Sequence, residues 1–312
     1  MLMAAGFLFP GQGAQFVGMG RDVAEVYPAA RDVYERANAI VGFDIARLCF
    51  EGPSGELTST ANSQPAIYVT SHALLAALAA EGVLDRLECG VAAGLSLGEF
   101  TALAYAGAMS FEDGLRLVQQ RGRLMQEAGE AQPGTMAAVI GLDEPTLVEV
   151  CAEASQDGTV TVANINSPEQ IVISGEAAGV EAASRLATER GARGVIPLRV
   201  SAAFHSPLMR PARERLAAAL DAVTVTAPRV PVVANVTGRP HGTPDAIRAA
   251  LVDQLDHPVR WCESCRWVLD NRVRMCYEIG PGRVLAGMVK RIDRRATCTS
   301  IGDVAAIRRA SV

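Results

Sequence analysis

Lysine is nearly absent from this chain. Lys290 is the sole lysine among 29 basic residues, and the rest are arginine. No apolar run approaches the roughly 20 residues that a membrane-spanning helix needs. An excess of basic charge is also missing. The net charge of −5 excludes the broad cationic footprint of a nucleic-acid-binding protein. The segment Met1–Phe9 is apolar but has no basic flank, and it meets Pro10-Gly11 too early for a secretion signal. It is expected to be a buried first strand, which points to a cytoplasmic protein. The cysteine count of seven is odd, so a simple disulfide framework is not expected, and reduced thiols are. Cys262 and Cys265 form one C-x-x-C on a predicted helix, Trp261–Leu269. Without a second pair they cannot complete four metal ligands, so no metal site is expected. Two thiols on one helical face is the expectation instead.

What is present is ordinary for a large globular protein. The 312 residues are 49% hydrophobic and 20% charged, enough for a sizeable core and more than one domain. Strands alternate with helices. Met3–Phe9 is predicted as a strand, followed by a helix over 20–41, a helix Gln64–Ala80 with Pro65 in its first turn, and a helix Phe111–Ala128 capped by Ser110. Strand–helix alternation implies a mostly parallel sheet covered by helices. Residues 132–198 break that rhythm with strands at 135–140, 160–164, 170–174 and 193–198 and helices at 144–154 and 177–190. That βαββαβ order is ferredoxin-like. The expected fold is therefore α/β, with a large hydrolase-like domain over 1–130 and 199–312 and a small ferredoxin-like subdomain inserted at 131–198. A strand at 230–235, helices near 243–254 and 261–269, a strand at 273–279 and a last helix after Gly280-Pro281-Gly282 complete the large domain.

The chemistry is expected at Gly94-Leu95-Ser96-Leu97-Gly98. A serine at G-x-S-x-G spacing, after an apolar strand and before a helix-forming run, is the pattern of a nucleophile elbow. The sharp turn tolerates only tiny neighbours, and the hydroxyl then stands over a helix N-terminus that favours negative charge. Acyl transfer through a serine ester follows. A serine hydroxyl needs a base, and four histidines are available. His72 lies in an Ala/Leu helix, His241 in an Arg239–Gly242 turn expected to be exposed, and His257 before Pro258 at a helix end. His205, in Phe204-His205-Ser206-Pro207, is favoured because a strand end there meets the cleft between domains.

An ordered set of motifs resembles the malonyl-CoA:acyl carrier protein transacylases, a group that includes stand-alone polyketide synthase acyltransferases. It runs through Phe9-Pro10-Gly11-Gln12-Gly13-Ala14-Gln15, Ser63-Gln64-Pro65-Ala66, the elbow with Glu99, Gln120–Met125, Phe204-His205-Ser206, Asn235-Val236-Thr237-Gly238, Gln254-Leu255, Pro258–Trp261 and Glu278–Gly282. The resemblance implies Ser96 as nucleophile and His205 as base, then acid. It implies that the backbone carbonyl of Gln254 orients the histidine and that backbone N–H groups of Gln12 and Leu97 form an oxyanion hole. It makes Arg121 the residue that grips the malonyl carboxylate, since a planar guanidinium matches a carboxylate bidentately. Gln64 and Asn166 are candidate substrate contacts. Leu95 departs from the family, which commonly carries histidine there, and it bears on acyl selectivity together with Phe204. A ring at Phe204 would crowd an α-methyl branch, worth about 1–3 kcal/mol against methylmalonyl.

The expected partners are malonyl-CoA and an acyl carrier protein, with no nucleic acid, no membrane and no resident cofactor. A monomer is expected. Arginine clusters at Arg210, Arg213 and Arg215 and at Lys290–Arg295 are solvated helix faces or docking points for an acidic partner. Two other readings compete. A serine hydrolase of α/β-hydrolase type would need an acid between serine and histidine, and Asp157 or Glu169 are the nominees. A silent carrier-protein-binding module would carry no chemistry, which the Ser96, His205 and Arg121 set argues against.

Overall fold

The computed structural model describes residues 5–311 apart from 201, 272 and 274. Met3 and Ala4, expected to start the first strand, and Arg274, expected inside the strand at 273–279, lie outside the described residues. The strands are β1 (Ala5–Phe9), β2 (Cys89–Gly94), β3 (Thr135–Ile140), β4 (Val160–Ser167), β5 (Gln170–Gly175), β6 (Gly194–Pro197), β7 (Val232–Ala234), β8 (Arg239–Pro240), β9 (Met275–Ile279) and β10 (Thr297–Ile301). They form two sheets.

The larger sheet has the order β10-β9-β1-β2-β7-β8 and is parallel except for β8. The central strand β1 is buried along its whole length, as a parallel strand covered on both faces must be. Its side chains alternate. Phe7 and Phe9 join the main core with Tyr68 and Phe100, while Leu8 faces the opposite layer with Trp261 and Val91.

The smaller sheet is antiparallel with the order β4-β5-β3-β6. Counted within residues 135–197, this is 2-3-1-4, the ferredoxin-like arrangement. Here too alternation assigns the faces. Ala137, Val139, Ile171 and Ile173 pack under the helices Glu144–Ala154 and Ala177–Glu189. Met136, Ala138 and Val172 turn the other way, onto the main core. A main-chain clip ties β4 to the segment that leads into the helix Trp261–Asp270. Val259 N–H donates to the Ala163 carbonyl at 2.8 Å, and Ile165 N–H to the Val259 carbonyl at 2.9 Å.

Several elements differ from expectation. The helix over 20–41 is two helices, Arg21–Val26 and Pro28–Val41. Pro28 lacks an N–H to continue the first and opens the second at its first position. The next long helix starts at Thr60, so Pro65 lies in its second turn. The Ala61 carbonyl, which Pro65 cannot bond, faces Gly122 of the helix Phe111–Ala131. The helix Val284–Ile292 is not the last, since β10 and the helix Val304–Ala310 follow it. Most of β10 is not fully buried at the sheet edge, so it shows no apolar alternation. Cys262 and Cys265 do not share an environment. Cys262 joins the core of the small sheet and Cys265 the layer around Trp261.

Candidate active site

The elbow is built by steric necessity. A Cβ at Gly94 would lie 1.9 Å from the Gly98 carbonyl carbon, and one at Gly98 would lie 2.1 Å from the Phe9 carbonyl oxygen. Only glycine fits at either position. The turn between them forces Ser96 to φ 52° and ψ −105°. Among the described residues, Ser96 and His205 (φ 56°) are the two non-glycine residues with positive φ. Such strain costs on the order of 1–3 kcal/mol and collects where function demands it. Ser96 precedes the helix Leu97–Tyr105 without capping it by its side chain, so the hydroxyl stays available. Leu97, the first helical residue, directs an N–H that helix geometry leaves without an intrahelical partner.

Hydrogen-bond chemistry fixes the proton positions. His205 Nδ1 lies 2.7 Å from the Gln254 carbonyl oxygen, which can only accept, so Nδ1 carries the hydrogen. In the neutral ring Nε2 is then an acceptor, and Ser96 Oγ, 2.9 Å away, donates to it. Arg121 Nη2 donates to the same Oγ at 3.0 Å and to Gln254 Oε1 at 2.8 Å. Its Nη1 donates to Gln64 Oε1 at 2.6 Å. Arg121 is 1% exposed, its guanidinium lies over the Phe100 ring, and its Nε has no acceptor among the described residues. A buried guanidinium with a spare donor is suited to an anionic group.

A cavity of about 470 Å³ opens above Ser96. Gln12, Leu95, Ser96, Phe204 and His205 line it from the large sheet's side. Asn166 and Val172 line it from the small sheet. Asn166 Oδ1 is buried without a partner among the described residues. Gln64 sits a layer deeper, fully buried, with its amide spanning Arg121 and Met125. The acids nominated for a hydrolase triad are elsewhere. Glu169 pairs with Arg193 on the surface, Asp157 is exposed, and the His205 Nδ1 partner is a carbonyl.

The other histidines separate cleanly. His72 is half-buried, its ring packed against Tyr68 and Phe111. His257 is largely exposed, with Nδ1 near the Asp253 carbonyl. His241 corrects the expectation of an exposed turn. The two-residue strand β8, which pairs with β7, carries the chain back over the sheet, so the His241 side chain is 1% exposed. Its Nε2 lies 2.7 Å from Glu99 Oε1.

The acyl transferase domain family matches residues 6–307. The chain belongs to this family. This acyl transferase is 44% identical to the malonyl CoA-acyl carrier protein transacylase of Bacillus subtilis over 95% of this chain and 93% of that protein. It superimposes with a TM-score of 0.93 on an acyl-carrier-protein S-malonyltransferase from Burkholderia pseudomallei, at 42% identity and 99% coverage of both chains. A malonyl-transacylase solved in complex with a type II PKS acyl-carrier protein matches with a TM-score of 0.91 and 38% identity, covering 98% of each chain.

Burial pushes the His205 ring down to about 4, helped by the Arg121 charge and opposed by the Gln254 carbonyl. Burial also pushes His72 down to about 3. Both rings are therefore neutral at neutral pH. Their folded values lie below the unfolded value, so the unfolded chain binds protons more readily. Stability should be full above about pH 6.5 and fall as pH drops through 6.5 toward 4 and 3. At pH 5 each ring should cost about 2 kcal/mol, together a large part of a typical domain's stability. His72→Leu should recover about half of the loss in melting temperature between pH 7 and pH 5. A melting temperature flat across that window in the wild type would refute the assignment.

Proposed function

We propose that this acyl transferase moves a malonyl group from malonyl-CoA to the phosphopantetheine thiol of an acyl carrier protein, by a ping-pong route through an ester on Ser96. One observation carries the reading. Ser96 Oγ is held between His205 Nε2, which can take its proton, and buried Arg121, which can hold a carboxylate. Ser96 gives its proton to His205 Nε2 as Oγ attacks the thioester carbonyl. The oxyanion is met by the N–H groups of Leu97 and Gln12, each worth about 2.7–4 kcal/mol in such a site. The tetrahedral species collapses, and CoA leaves with the proton from His205. The carrier thiol then gives its proton to His205 and attacks the ester, and the same steps in reverse free Ser96. A backbone carbonyl orients His205 in place of a triad carboxylate.

Asn166 and Leu95 are assigned to the pocket wall that shapes acyl choice, with Phe204 beside the base excluding α-branched chains. Gln64 serves Arg121 rather than the substrate. No resident metal or redox group is needed, because these side chains supply base, acid and anion site. We take residues 131–198 as the smaller unit and the rest as the catalytic one. All seven cysteines are free thiols, which fits the cytoplasm.

Intact-protein mass spectrometry after brief mixing with malonyl-CoA tests this. A malonyl adduct should form and should vanish on adding holo-carrier protein, with malonyl-carrier as product. An adduct lost only to water would establish a hydrolase instead, and no adduct would leave a silent module.

Carrier docking at the first arginine cluster is narrowed by the ion pairs there. Arg213 is engaged by both Asp253 and Asp256, whereas Arg210 pairs with Asp256 alone among the described residues and its side chain is 68% exposed. Arg210→Glu should raise KM for the carrier several-fold at low salt, with the effect shrinking as salt screens it. An unchanged KM at low salt removes this face as the dock.

A further inference from the structure

The site rests on a buried polar cluster that the reaction scheme does not use. Glu99, fully buried at the start of the helix behind Ser96, receives three donors. His241 Nε2 lies 2.7 Å from Oε1, while Gln254 Nε2 at 2.5 Å and the Asn235 N–H at 3.1 Å meet Oε2. Gln254 is the hinge of the arrangement. Its carbonyl orients His205, its Oε1 accepts from Arg121, and its Nε2 donates both to Glu99 and to the Ser96 carbonyl at 3.0 Å.

We propose that the Glu99–His241 pair is a positioning device that fixes the amide of Gln254, and through it sets Arg121 for carboxylate recognition. The inference rests on the function proposed above. An amide has two nearly isosteric orientations. Arg121 offers only donors, so it requires Oε1. The Glu99 oxygen and the Ser96 carbonyl accept, so they require the NH2. Turning the amide over would set donor against guanidinium and acceptor against both oxygens, three mismatches in a dry site. No hydrogen bond or ion pair joins Arg121 to Glu99, so beyond the through-space pull of the Glu99 charge, the amide is the link that sets the guanidinium's geometry. His241 occupies the second Glu99 oxygen and keeps the carboxylate from rotating away. The β7–β8 hairpin, closed by the His241 N–H to the Val232 carbonyl at 2.8 Å, delivers it there. Neither residue touches the reacting atoms.

A purely structural role and a positioning role give different readouts. Loss of folded protein lowers malonyl and acetyl transfer by one common factor. Loss of Gln254 orientation lowers malonyl transfer selectively, because only malonyl needs Arg121 set. Glu99→Gln permits the Gln254 amide to turn, since glutamine at 99 can donate as well as accept. Its kcat/KM for malonyl-CoA should fall about tenfold or more, mostly in KM, while that for acetyl-CoA changes little. His241→Val should shift the malonyl-to-acetyl ratio the same way, and His241→Gln, which retains an N–H donor, should restore most of it. Melting curves are recorded alongside. A wild-type protein that forms no malonyl ester defeats the proposed function. A wild type that acylates normally, with folded variants keeping its malonyl-to-acetyl ratio, defeats this inference alone. If Glu99→Gln does not fold, the His241 pair decides by the same ratio.

Discussion

Ser96→Ala should abolish the malonyl adduct and lower kcat by on the order of 10⁴-fold or more, with the melting temperature nearly unchanged. His205→Ala should fall almost as far, and the double variant should be no worse than the poorer single one. The two groups act as a unit because a single hydrogen bond joins Oγ to Nε2. Once the base is gone, the hydroxyl retains no path for its proton, and once the nucleophile is gone, the base has nothing to activate. The residue left should come from the oxyanion donors and binding alone. The pH dependence offers an independent check. Burial and Arg121 push His205 down to about 4, so the base is already free of its proton well below neutrality. The kcat/KM for acylation should therefore be flat from pH 7.5 to 5.5, without the limb near 6.5 that an ordinary histidine gives. An adduct surviving in Ser96→Ala, or a limb centred near 6.5, would overturn the roles assigned here.

The parts of this site that could be read from the chain are those where local geometry leaves little choice. The elbow is one, because Gly94 is imposed by the turn's own backbone and Gly98 by the neighbouring strand at Phe9, and the pair shows up as G-x-S-x-G. The small unit is another. Its strand alternation separates Ala137 and Val139 from Met136 and Ala138 with a period of two. His205 was less legible, since its selection over the other histidines leaned on where a strand end meets the cleft. Arg121 could be chosen over Arg116 and Arg123 only through the resemblance to the transacylases, because burial of one face of an amphipathic helix does not name the residue that meets a ligand. Asn235, Glu99 and His241 were missed in their supporting roles. Asn235 Oδ1 accepts from the Ser96 N–H at 2.6 Å across 139 residues of sequence, a contact that no local pattern announces. His241 looked like a turn residue because Pro240 and Gly242 flank it, and a two-residue strand has no detectable period. The signal that was present is Glu99 itself. A carboxylate directly after the elbow glycine, as the one charged residue of a helix buried along most of its length, has to find buried donors.

Arg121→Met should cut kcat/KM for malonyl-CoA by roughly 10²–10³ while leaving acetyl-CoA unchanged or improved. The magnitude follows from what the arginine meets. In the absence of substrate its guanidinium satisfies Gln64, Ser96 and Gln254, yet Nε is left without an acceptor among the described residues. A malonyl carboxylate held beside Ser96 would meet this guanidinium at low local dielectric, where a charged, two-pronged bond is strong. Acetyl brings no anion, so it gains nothing from the arginine and leaves its charge without a counter-ion at the substrate. Burial also lowers the arginine's proton affinity, partly offset by the Glu99 charge, so a substrate carboxylate reinforces the charged form. Methionine matches the length without the charge, which limits the cavity that alanine would leave. Lysine should not rescue. Its ammonium is a point charge on a flexible stem and cannot hold both glutamine oxygens and a carboxylate in one plane. Acylation by malonyl-, acetyl- and methylmalonyl-CoA, followed in parallel for wild type, Arg121→Met and Arg121→Lys, checks each step. Equal losses for malonyl and acetyl would make Arg121 a scaffold residue, and full activity in Arg121→Lys would show that charge alone, rather than the fork, selects the substrate.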